Sequence, residues 1–376
     1  MSVKVFAGIA ARNPTLFRRT QVALGDPAAW IELDGRQIAL VRDLEMDRVR
    51  QRSAATLVTC PADNAPDSGL DADRETATAQ ALTQWLKKNG IGEVTGDRTF
   101  PFIFAWHLQQ AGISVRYDAE LGVLDRRSKQ DFEIEALTAA QSTTESVMQM
   151  ICEMIARASV SADGILQHDG GRLTSERVRS IAGVEFMKRG FSMSHGAIVA
   201  TAPHVADCHH AGDGPLRTEI PVVVDLFPMD ESTRYWGDCT RTVVNGSPSD
   251  TVVAMHQAVV RAKAAATQKL KLGTPAGDVH QAAEDVLVES GYPLSRGTIT
   301  DHPSIQHGTG HGIGLDVHEP ILLDTGGGPV LKNEVFTIEP GLYGRNDGGV
   351  RVEDMLVVTD GDALNLNRLH EGLDWK

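Results

Sequence analysis

HGTGHGIGLDVHEP, residues 307–320, places three histidines and four glycines within fourteen positions. Glycines at this density make a poor helix and let the backbone approach a site closely. A lone histidine is more often a satisfied core or surface residue than a ligand. His307, His311 and His318 together, in one short loop-and-strand segment, point to function.

Around this stretch lie four short, β-branched runs bounded by Gly or Pro: IPVVVDLF (220–227), CTRTVV (239–244), EVFTIEP (334–340) and GVRVEDMLVV (349–358). Each reads as a strand, and each carries or directly follows a carboxylate: Asp225, Asp238, Glu339 and Glu353. An ionised carboxylate in an apolar run is costly unless a cation or metal pairs with it. Any one of these alone reads as an edge carboxylate facing water. Four of them beside a histidine loop read as a converging site. Four negative charges balance two divalent cations, with neutral His311 adding a nitrogen ligand and a hydroxide bridging the pair. Mixed carboxylate and imidazole ligation suits Mn, Co, Fe or Zn better than Ca. Cys239 follows Asp238 directly, and strand alternation turns it to the opposite face.

Helical spacing recurs from Phe132 through Ile134, Leu137, Ala140, Val147, Ile151 and Met154, with polar residues between, so a long helix buries one face. Two further helices are expected, one starting near Pro248. The other has Thr274 as N-cap, Pro275 at its first position and Gly291 as terminator. The first third reads as a mixed α/β unit. Asp34-Gly35 suits a tight hairpin turn, AATLVT (54–59) suits a buried strand, and a helix runs from about Asp73 to Asn89, ended by Gly90. The charged stretch LDRRSKQDFE separates two domains, 1–124 and 125–376.

Composition excludes other classes. In 376 residues, 41% are hydrophobic and 23% charged, which describes a globular chain. A net charge of -14 argues against a nucleic-acid partner, which needs clustered Lys and Arg. Four scattered cysteines without a Cys-x-x-Cys pair suggest a reducing compartment. No run of eighteen apolar residues and no signal-type N-terminus occur. The expectation is a cytoplasmic protein with no membrane span.

VVVDLF, GDCTRTVV, HGTGHGIGLDVHEP, FTIEPGLY and GVRVEDMLVV, in this order and spacing, resemble the M24 metallopeptidase family, which includes methionine aminopeptidase, aminopeptidase P and prolidase. The resemblance covers about 125–376 and implies an α+β architecture. Its parts are a pita-bread catalytic domain and a smaller α/β, creatinase-like N-terminal domain, the latter placing prolidase and aminopeptidase P nearer. By this resemblance Asp225 chelates one metal, His311 and Glu339 the other, and Asp238 and Glu353 bridge both. His318 hydrogen-bonds the scissile carbonyl and its oxyanion, and Glu339 handles the water proton. His307 and His209 hold substrate, with His210 a rival to His209, and Arg351 matches an arginine of the proline-directed members. Leu226-Phe227-Pro228 departs from the family, many of whose members have Gly soon after the first Asp. The implied activity is hydrolysis of the bond before proline in peptides with proline second, by a homodimer holding two divalent ions per chain, manganese first. Two alternatives stand beside it: an aminopeptidase of other N-terminal specificity, as in methionine aminopeptidases, and a non-catalytic binding protein of the same fold.

Overall fold

The computed structural model describes residues 3–376, in two compact units, Met1–Arg126 and Arg127–Lys376. The first unit is a six-stranded sheet in the order Leu57–Thr59, Arg36–Leu40, Pro27–Leu33, Lys4–Ile9, Glu93–Gly96, Ser114–Tyr117. Asp34 and Gly35 take φ of 49° and 76°, so Leu33 pairs with Arg36 across a two-residue turn. The expected 54–59 strand is reduced to Leu57–Thr59, and Leu57 is exposed, because this strand forms the sheet edge and is covered on fewer sides. Asp73 caps the Arg74–Lys88 helix through Thr76 N at 2.8 Å, and Gly90 follows with φ 67°.

The second unit holds a three-stranded sheet, Ala197–Ala200, Pro221–Leu226 and Cys239–Val244. It also holds a five-stranded sheet in the order Glu319–Leu323, Gly310–Gly312, Val335–Ile338, Asp354–Val357, Leu364–Asn365. Against this three-stranded sheet packs the Asp131–Ala156 helix, burying Ala140, Val147, Met148, Ile151 and Ile155 in one apolar cluster with Val222, Val224 and Cys239; Leu137 of the same helix is also buried. Ile134 and Met154, expected in that stripe, are only half-buried. The Asp250–Lys269 and Ala276–Glu289 helices enclose a second core with Phe336, Ile338, Val350 and Leu356. Pro275 has ψ 135°, an extended value, so this last helix begins one residue later than expected and Thr274 is not its cap. Among the described residues no helix is long and apolar enough to cross a membrane.

GVRVEDMLVV is not one strand. Gly348–Arg351 pairs with Gly341–Gly344 in a hairpin, whereas Asp354–Val357 belongs to the five-stranded sheet. Val352 and Glu353 form the crossing, and Glu353 N donates to Thr240 O at 3.1 Å. The fully buried Arg241 donates to the Thr240 and Glu353 carbonyls and to Asp354 Oδ1 at 2.9 Å. Lys263 pairs with the other Asp354 oxygen. These buried charges, satisfied on each side, tie the two sheets at the point where the site residues emerge.

Gly310 lies so close to the neighbouring strand that a Cβ would come within 2.0 Å of the Thr337 carbonyl oxygen. Gly310→Ala should therefore cost about 1–3 kcal/mol through overpacking and shift the adjacent His311. A thermal melt indistinguishable from wild type would contradict this strand approach.

Candidate metal centre

Only Asp225 among the four carboxylates lies within a strand. Asp238 precedes Cys239–Val244, Glu339 follows Val335–Ile338, and Glu353 occupies the crossing between two strands. They converge because the ends of the two sheets face one cleft of about 710 Å³, which all four line with His209, His307, His311, His318 and Arg351. Ligand atoms of Asp238, His311 and Glu353 lie within 4.8 Å of one another. His311 Nε2 is 3.4 Å from Glu339 Oε1 and 3.7 Å from Asp238 Oδ2.

The backbone around these candidate ligands is pinned. Gln141, a polar residue on the buried face of the long helix, donates to Asp238 O at 2.6 Å and accepts from Asp238 N at 2.8 Å. Gly237 lets that helix approach, since a Cβ there would lie 2.2 Å from Thr144 Oγ1. Thr240 donates to Glu353 Oε2 at 2.8 Å. Glu319, paired with Lys129 at 3.1 Å, accepts from Leu315 N and braces the loop that presents His318.

His311 Nδ1 lies 3.1 Å from the Gly312 carbonyl, which can only accept, so the neutral ring carries its proton on Nδ1 and leaves Nε2 bare. That lone pair faces the oxygens of Asp238 and Glu339. Burial, then His318, holds the His311 pKa down to about 3, so the imidazole itself does not take up a second proton. A bare nitrogen against ionised carboxylates is repulsive unless a proton or a metal cation sits between them. The carboxylates show the same deficit. Burial raises Asp225, and Arg351 opposes it; burial raises Asp238 and Glu353 well above the ordinary range, reinforced by Glu353 for the first and Glu339 for the second. One arginine serves this group: Arg351 Nη2 bonds Asp225 Oδ2 at 2.6 Å and its Nε lies 3.9 Å from Glu339. Asp225 Oδ1 is buried with no hydrogen-bond partner among the described residues. An oxygen-rich, anionic set with one bare imidazole nitrogen fits divalent cations.

Arg351 and His307 line the cleft with their polar atoms already engaged within the protein. Arg351 is buried and donates to Asp225, to Thr240 Oγ1 and to Tyr343 Oη at 2.8 Å. His307 Nδ1 lies 2.7 Å from Gly308 O and Nε2 2.7 Å from Tyr343 Oη, so Tyr343 donates to Nε2 and both ring nitrogens are occupied. His318 is exposed to the cleft, its ring 4.2 Å from that of His311. Of the rival pair, His209 lines the cleft, whereas His210 stacks on His204 and accepts from Gly212 N. Cys239 points into the apolar core, as strand alternation requires. Sequence reading passed over Tyr343, although FTIEPGLY contains it. It also passed over His195, Arg179 and Arg296 of the cleft wall; His195 precedes a Gly and a strand, a weaker form of the signal that marked His311.

The raised Glu339 carboxyl makes the metal-free protein pH-sensitive. Burial lifts it from 4.5 to about 7, with Arg351 opposing. Its contribution to stability is present below pH 4.5 and is lost as pH rises to about 7. Metal-free wild type, compared with Glu339→Gln, should lose stability across that window. Urea melts giving parallel pH profiles for the two proteins would show instead that this carboxyl is solvated.

Residues 135–360 match the model of metallopeptidase family M24. The chain is 32% identical over 244 residues to a Mycobacterium bovis protein named probable dipeptidase PepE, covering 64% of this chain and 59% of that protein. It is 29% identical over 229 residues to a Pyrococcus furiosus Xaa-Pro dipeptidase, covering 60% of this chain and 62% of the other. The matched region thus spans about three fifths of these relatives' lengths. The solved Xaa-Pro dipeptidase of Bacillus anthracis shares the fold with a TM-score of 0.80 at 20% identity, over 99% of this chain and 94% of that one. The likeness extends across both units, and the α+β architecture is the pita-bread fold preceded by a smaller α/β unit. The family match runs from the long helix to the last sheet and takes in every motif that lines the cleft, so the chain belongs to metallopeptidase family M24.

Proposed function

We propose that this chain is a metal-dependent exopeptidase hydrolysing the bond before proline, as an Xaa-Pro dipeptidase or aminopeptidase. Asp225, Asp238, His311, Glu339 and Glu353 would hold two divalent cations, manganese foremost, in a homodimer of the cytoplasm. The observation that carries the reading is the bare His311 Nε2 set against the Glu339 and Asp238 oxygens. The names of the Mycobacterium and Pyrococcus relatives support the dipeptidase and proline parts of it. When bound, the cations supply Lewis-acid polarisation of the scissile carbonyl and an acidified water.

The side chains supply the rest. Glu339, the least enclosed of the four carboxylates, accepts the proton of the attacking water and delivers it to the prolyl nitrogen. That delivery is indispensable, because proline leaves as a secondary amine. His318, at the cleft surface and held below its ordinary pKa chiefly by partial desolvation of its ring, is a neutral N–H donor for the oxygen that gains charge. His209 and the His307–Tyr343–Arg351 chain shape the substrate side of the cleft, and Arg351 also fixes the orientation of Asp225.

Reconstituted protein should bind about two ions per chain and cleave Xaa-Pro dipeptides, Xaa-Pro-Yaa peptides or both, with chelation abolishing turnover reversibly. Full metal content without cleavage of either substrate would sink the proposal. Asp238→Asn should remove most of the metal-induced rise in melting temperature, while the metal-free mutant melts no lower than metal-free wild type, having lost a crowded charge. Near-normal metal content in that mutant would refute a bridging Asp238. His318→Ala should keep its metals and lose on the order of a hundredfold in kcat; parallel loss of metal would make it a ligand instead.

A further inference from the structure

Three arginines line the cleft: Arg179, Arg296 and Arg351. Arg351 is neutralised by Asp225. Arg296 holds both oxygens of Asp324, at 2.7 and 3.2 Å, and also meets His280 Nε2 at 2.7 Å. Arg179 has no acidic partner among the described residues. It rises from the Ser175–Lys188 helix, half-buried, and its Nη1 donates to the carbonyls of Ala211 and Gly212. That loop is itself fixed, since Gly212 has φ +85° and a Cβ there would lie 1.8 Å from Val199 O.

The consequence is a guanidinium oriented from one end with its other edge unspent. Nε and Nη2 make no hydrogen bond among the described residues, and these two parallel N–H groups form the fork that matches a carboxylate bidentately. Holding Nη1 on two carbonyls reduces the rotamer freedom a ligand would otherwise have to restrict. The other two arginines of the cleft wall are already paired with Asp324 and Asp225, so an anionic group entering the cleft finds in Arg179 a guanidinium without an acidic partner among the described residues.

We infer that Arg179 binds the free C-terminal carboxylate of the substrate and so selects dipeptides over longer peptides. This rests on the reading of the cleft as a peptidase site and adds to it a positive determinant of substrate length. A peptide extended beyond its second residue, or ending in an amide, presents no anion at that position and leaves the fork unpaired.

The test compares each ligand as free acid and as C-terminal amide, in metal-loaded wild type, Arg179→Gln and Arg179→Lys. Ala-Pro and its amide are followed by hydrolysis. The same pair with the peptide carbonyl reduced to methylene is followed by calorimetric binding. Wild type should favour the acid over the amide by roughly tenfold to a hundredfold in KM and in Kd. Arg179→Gln should bring that ratio close to one, and Arg179→Lys should keep part of it. If Arg179 served only to brace the His209 loop, both forms would weaken together and the ratio would persist, which overturns the inference. A wild type with no preference for the acid overturns it as well. Hydrolysis of neither substrate, with the acid preference intact in binding, would defeat the Xaa-Pro reading while leaving Arg179 as the carboxylate anchor.

Discussion

The second unit is organised around a contact that is unfavourable while its carboxyls are ionised: a histidine lone pair held against the oxygens of two acids. His311 cannot turn away, because its Nδ1–H is committed to Gly312 O and its backbone N donates to Thr337 Oγ1. Asp238 cannot turn away either, because Gln141 grips its backbone from both sides. Such an arrangement persists only where the surrounding structure over-determines it. Here the two apolar cores and the Arg241–Asp354–Lys263 set supply that restraint without drawing on the site itself.

This separation explains how an apolar core tolerates four crowded acids at its edge. Without a cation the carboxyls shift towards their neutral forms and the imidazole stays neutral, so the site lowers its charge instead of unfolding the chain. Arg351 moderates the crowding at Asp225 and Glu339, yet a single guanidinium leaves most of the deficit in place. The residue that completes the balance must bring more positive charge into a volume already filled by acceptors, which is the character of a metal and not of another side chain.

Much of this was legible in the sequence, because carboxylates in apolar runs are conspicuous and few arrangements permit them. The hairpin at Asp34-Gly35, the long helix and the order of the motifs follow from local turn chemistry and periodicity. What was not legible depends on tertiary partners. GVRVEDMLVV has unbroken strand character, and only Thr240 and Arg241, more than a hundred residues earlier in the chain, reveal why it crosses between sheets at Glu353. AATLVT looks buried because its composition is, but its place at a sheet edge is set by which strands pair. Arg179 stands in an ordinary amphipathic helix, and nothing in its neighbourhood of sequence distinguishes it from the other surface arginines.

His307 and His311 show the limit most clearly. Both belong to one glycine-spaced motif, both are neutral, and both donate Nδ1–H to the carbonyl of the following residue. Their difference lies wholly at Nε2. At His307 that nitrogen meets the Tyr343 hydroxyl, a donor, and the ring is satisfied within the protein. At His311 it meets the carboxyl oxygens of Asp238 and Glu339. The proposed ligand and its neighbour are therefore separated by one hydroxyl group contributed from a different strand, which satisfies one ring and leaves the other's nitrogen facing the acids.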